Sequence, residues 1–400
     1  MTDKNVVDIS SNTQVIKLYN KKGRALRVLC LIFSILFLLG GGAMVAYYAL
    51  LGTLNYNNLT DEPQKPVTPG VTAPSVGEMV SGSTQLTVGD GQLLQDSKVL
   101  NVMLFGEDNN HGDKYGRTDT MIMMSIDNWH KKLKLTSFQR DTYVYIPGYG
   151  MDSINCAYTY GGPKLTIQTI EANFGIKIDR YAVVDFKSFI SIIDTLGGID
   201  IELTEDEIEY INYQMYKNHQ VKDRHTIKDP AGVVHLNGQE ALWYARNRGL
   251  SKGEDGNEIG LDGDDWDRTS RQRKLLETLF NSMKGADLGQ IISIVSQVGP
   301  LITTNLKKDE ITSLVMRSLT YLSYDVVQNY VPTEGLWYYN KPGDESWERA
   351  GSCIIIADMD AQRMKLAQFI YEDRLSGGKA EPATKATEAA TKAPETTKKP

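Results

Sequence analysis

Apolar and polar positions change their period several times along the 400-residue chain, and each change predicts an element. Residues 28–51 (VLCLIFSILFLLGGGAMVAYYALL) carry no charge. At a helical rise of about 1.5 Å per residue that run spans roughly 36 Å, enough to cross a hydrocarbon core with some tilt. After it, Pro, Gly, Thr and Ser dominate to residue 97 with no apolar period. Three short apolar runs follow: VLNVMLF (99–105), TMIMMSI (120–126) and KLKLTSF (132–138). They read as buried strands, and their short connections predict antiparallel neighbours. Beyond Arg140-Asp141 the period lengthens to a helix over 164–174. A strand (IDRYAVVDF), a helix (FISIIDTL) and a strand (GIDIEL) come next. Further helices are expected over 268–283, 290–298 and 310–322, then a strand in CIIIAD and a closing helix over 361–372. Strand–helix–strand alternation predicts a crossover unit and an α/β fold. The expected architecture is a three-layer α/β/α sandwich with a mixed central sheet, preceded by a single transmembrane helix.

Charge orients this plan. Lys4, Lys17, Lys21, Lys22, Arg24 and Arg27 precede the apolar run, which places the N-terminus in the cytoplasm and everything after residue 51 outside. A cleavable signal peptide is the competing reading, and the run is long for one. The expected parts are a cytoplasmic segment (1–27), a membrane helix (28–51), a Pro/Gly/Thr-rich stalk (52–97), an extracellular catalytic domain (98–375) and a disordered Ala/Thr/Lys/Pro tail (376–400). A domain of roughly 280 residues can bury a substantial core. The formal net charge of −7 argues against nucleic acid as a partner. Of the three cysteines, Cys30 falls in the apolar run, and spacing does not say whether Cys156 and Cys353 pair. No CxxC or HExxH pattern is present, and the five histidines sit in no recognisable Ser or Cys triad. The loop EDGNEIGLDGDDWD looks only loosely like a calcium loop, because Ile259 and Trp266 stand where oxygen ligands are needed.

Chemistry concentrates between Val233 and Leu279. Arg246 and Arg248 are two apart and face the same way if the chain is extended there. A helix capped by Asp267 would set Arg268 and Gln272 in line with Leu275, Leu276, Leu279 and Met283, so both polar groups point toward the core. An inward guanidinium needs an anion, which a structural carboxylate can supply. Three converging arginines instead favour phosphate or pyrophosphate, for which planar bidentate donors suit. Asp108 ends the first apolar strand and Asp119 begins the second, so neighbouring strands would bring both carboxylates to one sheet end. They read either as two oxygen ligands for Mg²⁺ or as turn residues that cap or pair with Arg117. Arg140 emerges at the same end if the third strand runs antiparallel to the second.

The segments NVMLFGED, GRTDTMIM, LTSFQRDTYVYIP, INCAYTYGGPK, IDRYAVVDF, FISIIDTLGGIDIEL, HLNGQEALWYARNR and DWDRTSRQRKLL occur in this order over about 99–283. Together they resemble the LytR–CpsA–Psr family of wall-polymer transferases. The resemblance implies a membrane-anchored phosphotransferase that takes a glycopolymer (teichoic acid, capsule or another) from a polyprenyl-pyrophosphate carrier to a peptidoglycan sugar hydroxyl. It implies Mg²⁺ on Asp108 and Asp119. Arg117, Arg140, Arg246, Arg248 and Arg268, with Gln272 behind them, match the residues around the pyrophosphate. Asp119 and these five arginines are the catalytic set so implied. An apolar tunnel for the polyprenyl tail, walled by FISIIDTL and LLETLF, is also implied. Two departures stand out: Gln139 replaces the proline usual before the Arg-Asp pair, and Asn109-Asn110 follow Asp108. A polyprenyl-pyrophosphate hydrolase and a non-catalytic lipid-glycan sensor or scaffold are the alternatives.

Overall fold

Alternation within the three apolar runs sets the two faces of a central sheet. Strands β1 (Val99–Asp108), β2 (Arg117–Asp127) and β3 (Lys132–Phe138) form an antiparallel meander, as their short connections predicted. The computed structural model describes residues 55–56, 87–88, 93–108, 115–223, 225–249, 251–252, 258–259 and 264–375. The expected cytoplasmic segment, the apolar run 28–51, most of the stalk and the tail lie outside the described residues. None of the described helices is long and apolar enough to cross a membrane.

Strand β4 (Arg180–Asp185) pairs parallel with β1, and β5 (Asp325–Val331) pairs parallel with β3. With the short strands Thr303–Thr304 and Asn55–Tyr56 beyond β4, they make a mixed seven-stranded sheet. Val99, Met103, Phe105, Met121, Met123 and Phe138 share one face with residues of helices α1 (Cys156–Phe174) and α6 (Met359–Tyr371). Leu100, Met124, Ile126 and Leu133 share the opposite face with Phe280 of helix α5 (Asp265–Ser282) and with Tyr324. Helices therefore cover both sides, and the three-layer expectation holds.

Several local expectations give way. GIDIEL forms a strand (Ile199–Leu203), but it pairs with Gly232–Leu236 in a separate ribbon and not with the sheet. Its strict alternation of buried and exposed positions is that of a strand with one wet face. Helix α1 begins at Cys156, eight residues before 164, with a break at Gly161-Gly162 that seats Pro163. Gly162 has φ 65°, and a Cβ there would come 2.6 Å from the Tyr115 ring. The helix expected over 310–322 divides at Arg317 into Lys308–Met316 and Ser318–Tyr321. CIIIAD contributes Ile354–Ile356, paired with Trp337–Tyr339 outside the sheet. Leu94, assigned by composition to the stalk, is 1% exposed in the core, and the neighbouring Asp96 pairs with Arg374. Cys156 and Cys353 are both free thiols.

Helix α2 (Phe186–Thr195) follows β4 directly, and α3 (Glu205–Lys217) starts on a reciprocal Thr204/Glu207 capping box. Helix α4 (Gly238–Arg246) begins on a second such box, made by Asn237 and Glu240. These elements gather at the end of the sheet where β2 begins.

Candidate functional site

A register shift at Gly106/Glu107 leaves Asp119 as the extra residue of a bulge in β2, where that strand lies against β1. Gly106 permits that approach, since a Cβ there would lie 2.9 Å from Thr120 Cβ. Three residues into β2 stands Asp119, half-buried, and the surrounding elements aim guanidinium groups at it.

Helix α5 supplies the first. Asp264 caps it by accepting from the backbone N–H groups of Trp266 and Asp267, while Asp267 accepts from that of Asp264. The helix thus starts before Asp267, whose role is the third position of a capping box rather than the cap itself. One turn on, Arg268 is only 2% exposed and Gln272 8%, above the core residue Leu275, as their spacing predicted. Arg268 Nη2 donates to the Asp119 carbonyl at 3.1 Å, and Nη1 lies 3.4 Å from Asp119 Oδ2.

Arg140 comes from the turn after β3 and donates to Asp119 Oδ1 at 2.8 Å. Arg248 donates to Oδ2, also at 2.8 Å. Arg246 and Arg248 do not share an extended segment: Arg246 ends α4, and the chain turns extended at Asn247. That turn is pinned from below. Arg271 donates to the Asn247 carbonyl at 3.1 Å and to buried Glu207 at 2.7 Å. Arg246 lies with its guanidinium 4.6 Å from the Phe186 ring centre and 5.2 Å from that of Trp243. Among the described residues it has no acid partner.

A pocket of about 220 Å³ opens here, lined by Asp108, Asp119, Arg246, Arg248, Arg268 and Gln272 together with Gly106, Thr120, Phe186, Tyr210 and Trp243. Six of the eight residues expected at the site meet in it. Arg140 reaches it through Asp119. Arg117 does not join the lining: it is exposed, directly across the strand pair from Asp108. Position 117 falls at the last pair of the two strands, where among the described residues its side chain stays exposed.

Burial pushes the Asp119 carboxyl up, but Arg268, Arg140 and Arg248 together hold it below the ordinary carboxylate value. Burial lowers the Arg268 guanidinium to about 10, against the pull of Asp265 and Asp119. Arg140 is raised, because Asp265, Asp119 and Asp141 outweigh its burial. Several buried polar atoms around the pocket lack a hydrogen-bond partner: Arg140 Nε, Arg268 Nε, Gln272 Oε1 and Gln139 Oε1. Two of these atoms, Arg268 Nε and Gln272 Oε1, belong to residues that line the pocket, where a ligand or ordered water can meet polar groups.

The donor chemistry fits Mg²⁺, which takes hard oxygens and completes its shell with water and phosphate. Asp108 and Asp119 line one pocket, and Asp119 is held ionised. Both Asp119 oxygens accept from arginines, however, so a cation there would have to share them. The described residues hold one cluster of three close metal-type side chains, Asp127, His130 and Glu372. It lies at the other end of β2, where the Lys134 ammonium sits 2.7 Å from Asp127 and 2.8 Å from Glu372.

Four contributors were not expected. Asp265 lies 2.8 Å from Arg268, 3.3 Å from Arg140 and 3.7 Å from Arg248. The run GDDWD before an arginine-bearing helix was its signal, and capping accounts for only two of those three acids. Gln139, 1% exposed, donates through Nε2 to Thr269 Oγ1 at 2.9 Å, tying the end of β3 to the residue after Arg268. Proline in its place would lack that donor. Phe186 and Trp243, which carry Arg246, had no local signature.

Residues 61–350 match the family model described as the LytR_cpsA_psr family. The chain is 30% identical over 283 residues to the polyisoprenyl-teichoic acid–peptidoglycan teichoic acid transferase TagU of Oceanobacillus iheyensis, covering 66% of this chain and 77% of TagU. It is 35% identical over 196 residues to the regulatory protein MsrR of Staphylococcus aureus, covering 48% of this chain and about half (52%) of MsrR. Among solved structures, TagT bound to LI-WTA aligns with TM-score 0.52 at 21% identity, over 73% of this chain and 96% of that one. Protein gbs0355 from Streptococcus agalactiae aligns with TM-score 0.53 at 19% identity, over 68% and 88%. At these identities the structural likeness speaks to the fold.

Proposed function

The chain belongs to the LytR–CpsA–Psr family, and on that footing we propose that it is a glycopolymer phosphotransferase acting on a polyprenyl-pyrophosphate-linked glycan. The acceptor is a peptidoglycan sugar hydroxyl. The observation that carries this reading is Arg246, a guanidinium in the pocket with two aromatic supports and no acid partner among the described residues. An anion with several oxygens, such as pyrophosphate, satisfies it.

The acceptor oxygen bonds to the phosphorus next to the glycan while the bond from that phosphorus to the bridging oxygen breaks. Polyprenyl phosphate leaves with the electron pair, and the hydroxyl proton passes to a base that is not assigned. Arg140, Arg246, Arg248 and Arg268 hold the phosphate oxygens and stabilise charge as it moves to the leaving group. Asp119 and Asp265 keep Arg140, Arg248 and Arg268 aligned before the ligand arrives, while Phe186 and Trp243 support Arg246. Asp108 and Asp119 would hold Mg²⁺, which when bound neutralises phosphate charge. Phe186, Phe189, Ile190 and Ile192 on α2 are only half-buried and lead away from the pocket, which suits a polyprenyl chain. The apolar run 28–51 serves in this reading as a single-pass anchor, with the catalytic domain outside the cell.

Full-length protein would be incubated in detergent with Mg²⁺, polyprenyl-pyrophosphate-linked glycan and peptidoglycan oligomers, following polyprenyl phosphate release and glycan attachment together. Attachment that needs the metal and drops on the order of a hundredfold or more in Arg246→Ala is expected. Release without attachment would make the protein a hydrolase. Binding with neither product would favour the sensor, a second reading supported by the likeness to a relative named as regulatory.

A further inference from the structure

Trp266, in the first turn of α5, is not used by the reaction outlined above. It sits between Asp265, which faces three of the arginines, and the capping Asp267. Its indole stacks on that of Trp337, with ring centres 4.7 Å apart and planes 26° from parallel. Tyr330 of β5 meets it edge-on at 5.4 Å. The Tyr339 hydroxyl accepts from Trp266 Nε1 at 3.3 Å, and the Tyr339 ring stands at 82° to Trp337. Trp337 and Tyr339 lie two apart on one short strand, so both project from the same side of the ribbon.

These rings are half-exposed, unlike the aromatic pairs packed on the sheet, Phe105–Tyr158 and Phe138–Phe174, which are buried. A wall of indole left partly wet beside a charged pocket is a surface a ligand can cover. Its border is acidic. Burial pushes the Tyr339 hydroxyl up, the bond from Trp266 opposes this, and the nearby charges of Asp264, Asp141 and Asp265 push it further up. An anion is drawn to the arginines rather than to this border. A pyranose ring has the matching character: an apolar C–H face for indole, and hydroxyls around its edge for carboxylates and a phenol.

We propose that Trp266, Trp337 and Tyr339 form a sugar-stacking wall that holds the pyranose ring next to the reacting phosphate. This rests on the transfer reading above. Two sources carry this ring chemistry, the first sugar of the lipid-linked glycan and the acceptor sugar of peptidoglycan, and the experiment separates them. Trp337→Ala in the full-length protein is compared with wild type for three quantities: KM for lipid-linked glycan, KM for peptidoglycan oligomers, and affinity for sugar-free polyprenyl pyrophosphate. One of the two KM values is expected to rise about tenfold, with the sugar-free affinity kept. A donor KM that moves assigns the donor sugar to the wall, and an acceptor KM that moves assigns the acceptor sugar. Trp337→Phe, which retains a flat ring, should recover part of the loss and decides the matter if Trp337→Ala does not fold. Unchanged KM values in the folded variant overturn the wall, as does an equal loss of affinity for the sugar-free lipid. If wild type transfers nothing, tryptophan fluorescence still separates the two ideas. A response specific to the glycan-bearing lipid and lost in Trp337→Ala upholds the wall without the transferase, and equal responses to both lipids overturn it.

Discussion

Asp119 and Asp127 lie on the same strand, eight residues apart, and both carboxyls are held below their ordinary value by cations. Their surroundings differ in one respect. At Asp127 the charges close on one another: buried Lys134 reaches Asp127, Glu372 and the Ile370 carbonyl, at 2.7, 2.8 and 2.7 Å. These acceptors match the three donors of its ammonium group. His130 bridges Asp127 and Asp373 at 2.6 and 2.9 Å. At Asp119 three guanidiniums converge on one carboxylate, a fourth stands by without an acid, and buried nitrogens remain unbonded beside a pocket. A structural ion cluster saturates itself. One that serves a ligand leaves donors over.

The largest effect should separate these ends. Asp119→Asn is expected to lower transfer on the order of a thousandfold while raising affinity for inorganic pyrophosphate in the absence of metal, because it frees guanidiniums from a competing anion. Calorimetric titration with pyrophosphate checks the second half, and unchanged or weaker binding would refute the idea that Asp119 competes for them. At the other end, Asp127→Asn should cost about 3 kcal/mol of unfolding free energy by leaving Lys134 underpaired in the interior. Transfer per folded molecule should stay as it was. Urea unfolding and the transfer assay measure the two.

A smaller effect is set by pH. Burial pushes the Asp127 carboxyl up, but Lys134 and His130 lower it further, so its contribution is complete above the ordinary value of 3.8 and is lost as pH falls through the depressed one. His130 goes the other way: burial lowers it, while Asp127 and Asp373 raise it above 6.5. Its contribution is complete below 6.5 and is lost as pH rises through the raised value. Unfolding midpoints should therefore be highest between these limits, and His130→Gln should flatten the alkaline fall. A midpoint profile identical in His130→Gln and wild type would remove His130 from the cluster's energetics. Smallest of all, Gln139→Leu should cut turnover a few-fold by loosening the tie from β3 to Thr269, on the order of 1 kcal/mol. Thr269→Val should add little on top of it, and full additivity of the two would show that the bond does not matter.

What the sequence revealed follows from how locally each feature is encoded. The three meander strands were legible because burial on both faces leaves continuous apolar runs. Arg268 and Gln272 were legible because helical spacing ties them to Leu275. Strand β5 was not: DVVQNYV sits at an edge with few fully buried positions, so no apolar run marks it. Asp265 was hidden among acids of which two serve the cap, and only the fold shows which one turns toward the arginines. That Arg117 lies outside the pocket lining was not legible either, since its place beside Asp119 in the sequence does not say which side chains meet in space.

The cluster around Asp127 also fastens the last described turn, Glu372–Arg374. Arg374 pairs with Asp96 and lies 4.2 Å over the Trp129 ring, while Glu372 and Asp373 are gripped by Lys132, Lys134 and His130. Eight residues of extended strand, about 26 Å, separate this fastening from Asp119. A pull on the chain at Leu375 would therefore meet these ion pairs first, at the opposite end of β2 from the arginines.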